Sequence, residues 1–403
     1  MTGRCAIALA ALAACSSSSS GATEGPRLRL WHTFSPLETE ALNGVLAERE
    51  RAGASAVETT LLPFSRAQMI VREALVEGGA ECPDLIRIDA TWLPGLARAK
   101  LLRVTPPDLP ARDWLPEARE LATYAGIELG LPQAIDGLAL LYDVERVRAA
   151  GVPWPPRTIN ELVATAHRLT LDGRHGLSVR VDGYWFVAFL RAWGGDVVDP
   201  AAASLGIDAP IAATALQRFA ALFGPDGVAP PPPAPGDEAP TAQRRFRAGQ
   251  IAILVEGPWA VAELRGGAAQ QLGVAPFPRD PVGRPAAPFG GQIFVVPKCA
   301  RDPAGAWRLA LDLTAASLQA AWARQLGIVP TTTAALADAD AFTRDFRAAL
   351  QQTRPLPRDP ITTALFDDLT PAVAAVVAGD ATADEALAGV GRAWTRLLAR
   401  PGE

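Results

Sequence analysis

After its first residues, the sequence contains no long hydrophobic run. No later stretch approaches twenty uninterrupted apolar residues, although 49% of the 403 residues are apolar. A helix that crosses a bilayer needs about 20 such residues. We therefore expect a soluble body with sizeable buried cores, and this length predicts two or three domains.

Lysine is scarce, and positive charge is not concentrated anywhere. The formal net charge is −5, and Lys100 and Lys298 are the only lysines. Proteins that bind nucleic acids carry basic patches or stripes on their surface. No basic run or aromatic-basic stripe occurs here, so we expect no nucleic-acid partner.

Cysteine is also rare, with four residues in the chain. Cys5 and Cys15 lie near the N-terminus, which leaves Cys82 and Cys299 in the body. No CxxC pair and no Cys/His spacing typical of zinc ligands is present, so we expect no metal site. In an exported protein the two body cysteines can form a disulfide, and two small buried thiols are the alternative.

The chain begins with a leader that predicts export. Arg4 precedes a short apolar run at 6–14, and the sequence LAAC at 12–15 resembles the lipobox of bacterial lipoproteins. Because the run is too short to span a bilayer, residues 1–14 are predicted to be a signal peptide. The resemblance implies a diacylated Cys15 and a flexible tether over residues 15–26. An ordinary signal peptide and an alanine-rich cytoplasmic N-terminus are the alternatives.

The next part of the chain alternates between strand and helix patterns. Strands are predicted at 28–31, 57–61 and 83–89, and a second helix at 64–77. The first helix begins at Ser35-Pro36-Leu37-Glu38, where Ser35 and Glu38 form a capping box. This βαβαβ order predicts an α/β fold with a parallel sheet. Ligands gather at the carboxyl ends of such strands, and those ends here are residues 31–33 and 89–92.

The rest of the chain continues the α/β pattern. A strand is predicted at 138–142, a capped helix begins at Thr158, and a buried strand at 251–255 is followed by the turn Gly257-Pro258-Trp259. A final amphipathic helix begins near Thr382. The proline-rich residues 230–233 are predicted to be a surface loop and not a domain boundary.

Several segments, taken in order, resemble the family 1 extracellular solute-binding proteins, the maltose- and trehalose-binding type that serves ABC importers. The matching segments are PDLIRID (83–89), LPQAIDGLALLYD (131–143), GVPWPPRTINELVATAHRLT (151–170), FRAGQIAILVEGPW (246–259), GVAPFP (273–278), FGGQIFVVP (289–297) and GIVPTTTAAL (327–336). Each piece alone is a weak signal, but the ordered set behind a lipobox is a strong one.

The resemblance implies a two-lobed periplasmic-binding-protein fold of type II. Three segments would cross between the lobes, near 132–136, 289–292 and 329–333, and the ligand would lie in the cleft. The first lobe would hold residues 27–134 with 293–330, and the second lobe residues 135–292 with 331–403. The family sheet would also place Cys82 and Cys299 at the same edge of neighbouring strands, which implies a disulfide between them.

The same resemblance implies a set of ligand-binding residues. A sugar site needs flat aromatic side chains to stack on and polar groups that bind vicinal hydroxyls. The candidates are Trp259, Asp136, Asp89, Trp92, Tyr184, Trp185, Gly290, Gly291, His32, Thr33, Glu38 and Arg358, with Arg354 nearby.

Some of these candidates also have structural explanations. Glu38 is fully explained by the capping box, Asp89 can cap the next helix, and Asp136 can make a hinge hydrogen bond. The aromatic residues can pack in a core, and arginines near 354–358 can be solvated.

We therefore predict a binding protein that is not an enzyme and has no cofactor. It would capture an α-linked di- or oligosaccharide by hinge closure, act as a monomer, and deliver the sugar to an ABC permease from the extracytoplasmic side of a membrane. An exported glycoside hydrolase using Asp89 and Asp136 is one alternative, although no GxSxG elbow or phosphate-binding loop is present. The sequence also leaves open a ferric-binding relative, which would need paired tyrosines, and a carrier of a glycerol phosphodiester or a peptide.

Overall fold

A computed structural model describes residues 27–198, 205–233, 240–265, 271–359 and 362–398. The predicted signal peptide, Cys15 and the tether lie outside the described residues.

The described strands are Leu28–His32 (β1), Val57–Leu61 (β2), Leu85–Asp89 (β3), Thr123–Tyr124 (β4), Ile127–Glu128 (β5), Leu131–Gly137 (β6), Ala139–Asp143 (β7), His175–Ser178 (β8), Ile251–Glu256 (β9), Leu272–Pro276 (β10), Pro288–Val295 (β11) and Arg354–Pro355 (β12). The α-helices are Pro36–Arg51 (α1), Phe64–Glu77 (α2), Leu93–Arg98 (α3), Pro116–Leu121 (α4), Val144–Ala149 (α5), Ile159–Leu169 (α6), Gly183–Ala192 (α7), Pro210–Ala221 (α8), Ala242–Arg247 (α9), Val261–Arg265 (α10), Pro303–Leu313 (α11), Ala316–Leu326 (α12), Thr333–Ala337 (α13), Ala341–Leu350 (α14), Thr362–Ala378 (α15) and Ala383–Leu398 (α16). Short 3₁₀ turns span Ala90–Trp92, Gly206–Asp208 and Pro258–Ala260.

The first lobe is built on a sheet with the order β12-β11-β3-β1-β2, in which β6 also pairs with β11. Strands β1, β2 and β3 are parallel, whereas β11 runs antiparallel to β3 and β6. Because side chains alternate along a strand, Leu85 enters one apolar core and Ile86 and Ile88 enter another on the opposite face. The predicted βαβαβ unit is confirmed, including the capping box of Ser35 and Glu38.

The second lobe is built on a sheet with the order β10-β7-β9-β8. Its core collects apolar residues of β7 and β9 together with α6, α7, α8, α15 and α16. Helix α6 begins at a capping box of Thr158 and Glu161, as predicted. Residues 230–233 have no helix or strand structure, which confirms the predicted loop.

The two sheets are joined by segments that lie side by side. Leu138 alone separates β6 of the first sheet from β7 of the second. The segment around Val329 forms a bridge to Ile135 of β6, and the Thr331 hydroxyl donates to the Pro132 carbonyl at 3.0 Å. Strands β6 and β11 belong to the first sheet along their whole length. Strand β12, which lies within residues 331–403, also pairs in the first sheet.

A disulfide bond joins Cys82 to Cys299, whose Cα atoms are 6.0 Å apart. It ties the segment before β3 to the segment after β11, the pairing that the resemblance implied. Among the described helices, none is long and apolar enough to cross a membrane.

Candidate functional site

A gap in the first sheet lies at two glycines of β11. Strand β12 pairs with β11 at residues 288–289, and β3 pairs with it at 292–295. In the described pairings, Gly290 and Gly291 therefore lie between these two neighbours, while on their other side they face Asp136 and Ile135 of β6. A Cβ atom on Gly290 would lie 2.8 Å from Oδ1 of Asp136, so only glycine fits without displacing that carboxylate.

A cavity of about 410 Å³ lies at this gap. Its volume is within the roughly 300–1,000 Å³ that is usual for small-molecule sites. It is lined by Ala90, Thr91 and Pro94 after β3, by Glu117, Glu120 and Leu121 of α4, by Ile135, Phe289 and Gly290 of the connecting strands, and by Arg347, Leu350, Gln351, Thr353, Pro355, Leu356, Pro357 and Arg358. The cavity thus lies between elements of both lobes.

Asp89, Asp136 and Gln292, which we call the acidic wall, are held together by one amide group. The Gln292 Nε2 atom donates to Oδ2 of Asp89 and to Oδ2 of Asp136, both at 3.1 Å. Asp136 is only 7% exposed. Burial, and next the negative charge of Asp89, raise the pKa of Asp136 to about 7. Burial also raises the pKa of Asp89.

A buried cation, Arg87, lies next to the acidic wall. Its Nε donates to Gln133 Oε1 at 2.9 Å and its Nη1 to Thr33 Oγ1 at 3.2 Å. The guanidinium lies 4.0 Å from the centre of the Phe34 ring, in a cation–π contact. Burial lowers the pKa of Arg87, whereas the charges of Glu38, Asp136 and Asp89 raise it.

Three predicted residues lie in this layer around Arg87 and have partners within the protein. Glu38 accepts a hydrogen bond from the Ser35 amide at 2.7 Å, as the capping box requires. Thr33 accepts from Arg87. His32 is 1% exposed, and its Nδ1 accepts from the Phe34 amide. Burial and the charge of Arg87 lower the pKa of His32 to about 4, so its imidazole is neutral.

Tyr184 and Trp259, which we call the aromatic wall, belong to the second lobe. Tyr184 begins α7, where Asp182 caps the helix by accepting from the Tyr184 amide at 2.8 Å. The Tyr184 hydroxyl lies 3.9 Å from where a Gly290 Cβ would be, so it reaches the first sheet beside Asp136. Burial, and then the charges of Asp136 and Asp89, raise the pKa of Tyr184 well above its usual value.

Trp259 lies on the turn that follows β9 and is half-buried. Its Nε1 donates to Glu256 at 2.8 Å, and its six-membered ring lies against Gly257. Trp185 packs edge-on against Trp259 with 6.1 Å between ring centres. Trp185 itself is buried and donates to the Val255 carbonyl at 2.7 Å, so it supports Trp259 from within the core.

Two other predicted residues have partners within the protein. Trp92 is 5% exposed and packs on Phe64, with 5.7 Å between ring centres. Arg358 lines the cavity, but its guanidinium donates to the carbonyls of Glu120, Leu121 and Thr123. In the same segment, Arg354 forms an ion pair with Asp196 at 3.0 Å.

Gln292 and Arg87 were not among the predicted site residues. Each lay inside a segment that carried the family resemblance. A charged residue in the middle of a buried strand is unusual, so Arg87 had a local signal. Gln292 had none, because its role depends on β11 returning between β3 and β6.

Comparisons with known proteins identify the family of this chain. A family model described as bacterial extracellular solute-binding protein matches residues 68–349. A maltotriose-binding protein of Pyrococcus abyssi is 26% identical over 347 residues, covering 82% of this chain and 73% of that protein. A probable ABC transporter-binding protein of Deinococcus radiodurans is 27% identical over 296 residues, covering 69% of each chain.

Among solved structures, the GacH receptor of Streptomyces glaucescens, studied unliganded and with acarbose, superposes with a TM-score of 0.82. It is 27% identical, and the match covers 93% of this chain and 99% of the receptor.

Proposed function

This chain belongs to the family of bacterial extracellular solute-binding proteins, and on that premise we propose that it captures a sugar and delivers it to an ABC import permease. The family works outside the cytoplasm. The sugar class we favour is an α-linked di- or oligosaccharide, in keeping with the maltotriose-binding relative and with the acarbose complex of the GacH receptor.

The observation that supports the proposal is the approach of Asp136 in the acidic wall and Tyr184 in the aromatic wall to Gly290. The acidic wall offers carboxylate and amide groups of the kind that bind vicinal hydroxyls, and the aromatic wall offers ring faces for the apolar side of a sugar ring. The missing side chain at Gly290 lets a solute approach the strand backbone. A sugar lying along the gap would contact both lobes at once.

Hinge closure is the mechanism we propose for capture. Two contacts across the cleft would stabilise the closed arrangement. Arg347 forms an ion pair with Glu117, and Arg358 donates to carbonyls at the end of α4. A ligand that touches both walls gains more from the closed arrangement than from an open one, and that difference in affinity shifts the equilibrium. We propose that the sugar is released intact.

A thermal-shift screen tests the proposal with maltose, maltotriose, trehalose, sucrose, cellobiose, xylobiose and glycerol phosphate. A sugar at 100 times its Kd should stabilise the protein by about 2.7 kcal/mol. Trp259→Ala should lose most of the shift that maltotriose produces. Trp154→Ala is the matched control, because Trp154 is also half-buried but packs on Tyr142 at 4.6 Å.

The outcomes of the screen separate the candidate functions. A shift with glycerol phosphate alone would favour a non-sugar carrier, and release of glucose from maltotriose by the pure protein would favour a hydrolase. A Trp259→Ala variant that keeps its full shift would contradict the placement of the site.

We also propose that Cys15 is lipidated and anchors a monomeric protein to the extracytoplasmic side of a membrane. Metabolic labelling with a fatty acid should mark the wild type but not Cys15→Ser. Light scattering of the soluble body should give the mass of one chain.

A further inference from the structure

Negative charge exceeds positive charge around the gap. Glu38, Asp89 and Asp136 all act on the one guanidinium of Arg87, so the four groups carry two uncompensated negative charges when every carboxyl is ionised. His32 is neutral, as argued above. From the second lobe, Tyr184 presents an uncharged phenol, behind which lie Asp182 and Arg191. The charges of Asp182 and Arg191 cancel each other, so the excess of negative charge around the gap remains.

The acidic wall also has unfilled hydrogen-bond acceptors. The amide nitrogen of Gln292 donates to both aspartates. Gln292 is only 7% exposed, and its Oε1 is buried without a hydrogen-bond partner. In the described residues, the one hydrogen bond to the Asp136 carboxylate comes from Gln292. An ionised carboxylate has about four acceptor positions. Asp136 and Gln292 therefore keep unfilled acceptor positions, while the two cations that line the cavity are already engaged, Arg347 by Glu117 and Arg358 by backbone carbonyls.

We propose that the preferred solute is a sugar carrying a basic nitrogen, as an amino group on a ring or an imino group within or between rings, which binds in its protonated form against Asp136 and Oε1 of Gln292. This inference rests on the proposed sugar-binding function and narrows it to a class of solute. An ammonium supplies the missing donors and the missing charge together.

A neutral sugar supplies donors but no charge. The carboxylates of Asp89 and Asp136, which share one amide, repel each other, and closing the cleft over them is unfavourable unless one of them is protonated. The raised pKa of Asp136 agrees with this. A neutral sugar should therefore bind with uptake of a proton above pH 7, whereas an already protonated amine should not.

Calorimetric titration of matched pairs tests the inference. Trehalose is compared with 2-amino-2-deoxytrehalose, and maltose with 4-O-α-glucosyl-1-deoxynojirimycin, at pH 6.5 and in two buffers that differ in ionisation enthalpy. We expect at least one amine to bind about 100-fold tighter than its neutral partner, since hydrogen bonds between charged groups are among the strong ones. The same experiment at pH 8 should detect proton uptake by the neutral sugar.

Two variants complete the test. Asp136→Asn keeps the shape of the side chain and should reduce the preference for the amine to less than about 5-fold. Glu161→Gln changes an exposed carboxylate of α6 and should keep the full preference. If Asp136→Asn did not fold, the wild-type comparison of amine and neutral sugar would still decide the question.

Equal or weaker binding of both amines, with intact binding of the neutral sugars, would overturn this inference and leave the sugar-binding function standing. Failure of every sugar, charged or neutral, would instead contradict the proposed function.

Discussion

The two walls of the cleft differ in how well their polar groups are satisfied. In the aromatic wall, the Trp259 indole N–H already donates to Glu256, and its neighbour Trp185 donates to the Val255 carbonyl. In the acidic wall, Gln292 serves two carboxylates at once and its own oxygen has no partner. The indole N–H groups of Trp259 and Trp185 therefore have partners, whereas Asp136 and Gln292 of the acidic wall have unfilled acceptor positions.

This difference predicts unequal roles in binding. A solute that stacks on the aromatic wall buries apolar surface. A solute that binds the acidic wall supplies hydrogen-bond donors to Asp136 and Gln292. Changes in the acidic wall should therefore affect affinity most and should also alter how stability depends on pH.

The largest effect is expected from Asp136→Ala, which removes the carboxylate opposite Gly290. Affinity for maltotriose should fall by about 100-fold or more, because a charge-assisted hydrogen bond to the sugar is lost. Calorimetric titration measures this loss. Asp143→Ala is the control, because Asp143 is 4% exposed and caps α5 away from the cleft. It should lower stability and leave affinity unchanged, and equal losses of affinity in both variants would contradict the special role of Asp136.

The next effect concerns stability and pH. The pKa of Asp136 is raised from 3.8 to about 7, so between these values the folded protein binds more protons at this group than the unfolded chain does. Its contribution is present at acidic pH and is lost as pH rises towards 7 and above. The free energy of unfolding of the wild type, relative to Asp136→Asn, should fall by on the order of 2–4 kcal/mol between pH 4 and 8.

Asp84 should give the opposite pH dependence of the free energy of unfolding, and it serves as the control for the pH experiment. Burial alone would raise the pKa of Asp84, but hydrogen bonds from the backbone amides of Arg29, Asp302 and Arg301 hold it below its usual value. Its stabilisation is present above pH 4 and is lost as pH falls. Chemical unfolding of Asp84→Asn should show this loss, and the same slope in both variants would contradict the difference between the two carboxyls.

A smaller effect is expected from Gly290→Ala. The added Cβ would lie 2.8 Å from Asp136 Oδ1 and would occupy the space in which a solute approaches the backbone. Affinity for maltotriose should fall by about 10-fold while the protein remains folded. Gly44→Ala is the control, since a Cβ there has nothing within 4 Å. Unchanged affinity in Gly290→Ala would place the solute away from the gap.

The smallest effect is expected from Tyr184→Phe. This change removes one hydroxyl beside Asp136 and keeps the ring. Affinity should fall by about 3- to 10-fold, which corresponds to the net free energy of one neutral hydrogen bond. Tyr142→Phe removes a hydroxyl from a ring that packs on Trp154 and should have no effect on titrations. If Tyr184→Phe lost as much affinity for maltotriose as Asp136→Ala, the two walls would not have the unequal roles in binding that we predict.

The sequence predicted those parts of the fold whose signals are local. Strand β2 and helix α2 have the predicted bounds, and the capping boxes at Ser35 and Thr158 start α1 and α6. Strand β3 begins at Leu85, two residues later than predicted, because Asp84 before it accepts hydrogen bonds from three backbone amides.

In the candidate site, the sequence indicated only residues that end a strand or lie in a recognised segment. Asp89, Asp136 and Gly290 come together as the resemblance implied. The bridging role of Gln292 and the carbonyl contacts of Arg358 were not predictable, because each depends on segments more than 150 residues apart in the chain meeting in space. Such pairings leave no periodic or neighbouring signal in the sequence.

The central claim is that one sugar contacts both walls at the same time. Hydrogen–deuterium exchange with and without saturating maltotriose tests it directly. Slower exchange should appear together in the peptide covering β11 at 288–295 and in the peptide covering the turn at 257–260. Slower exchange in only one of these peptides, or in neither while calorimetry shows binding, would contradict the claim.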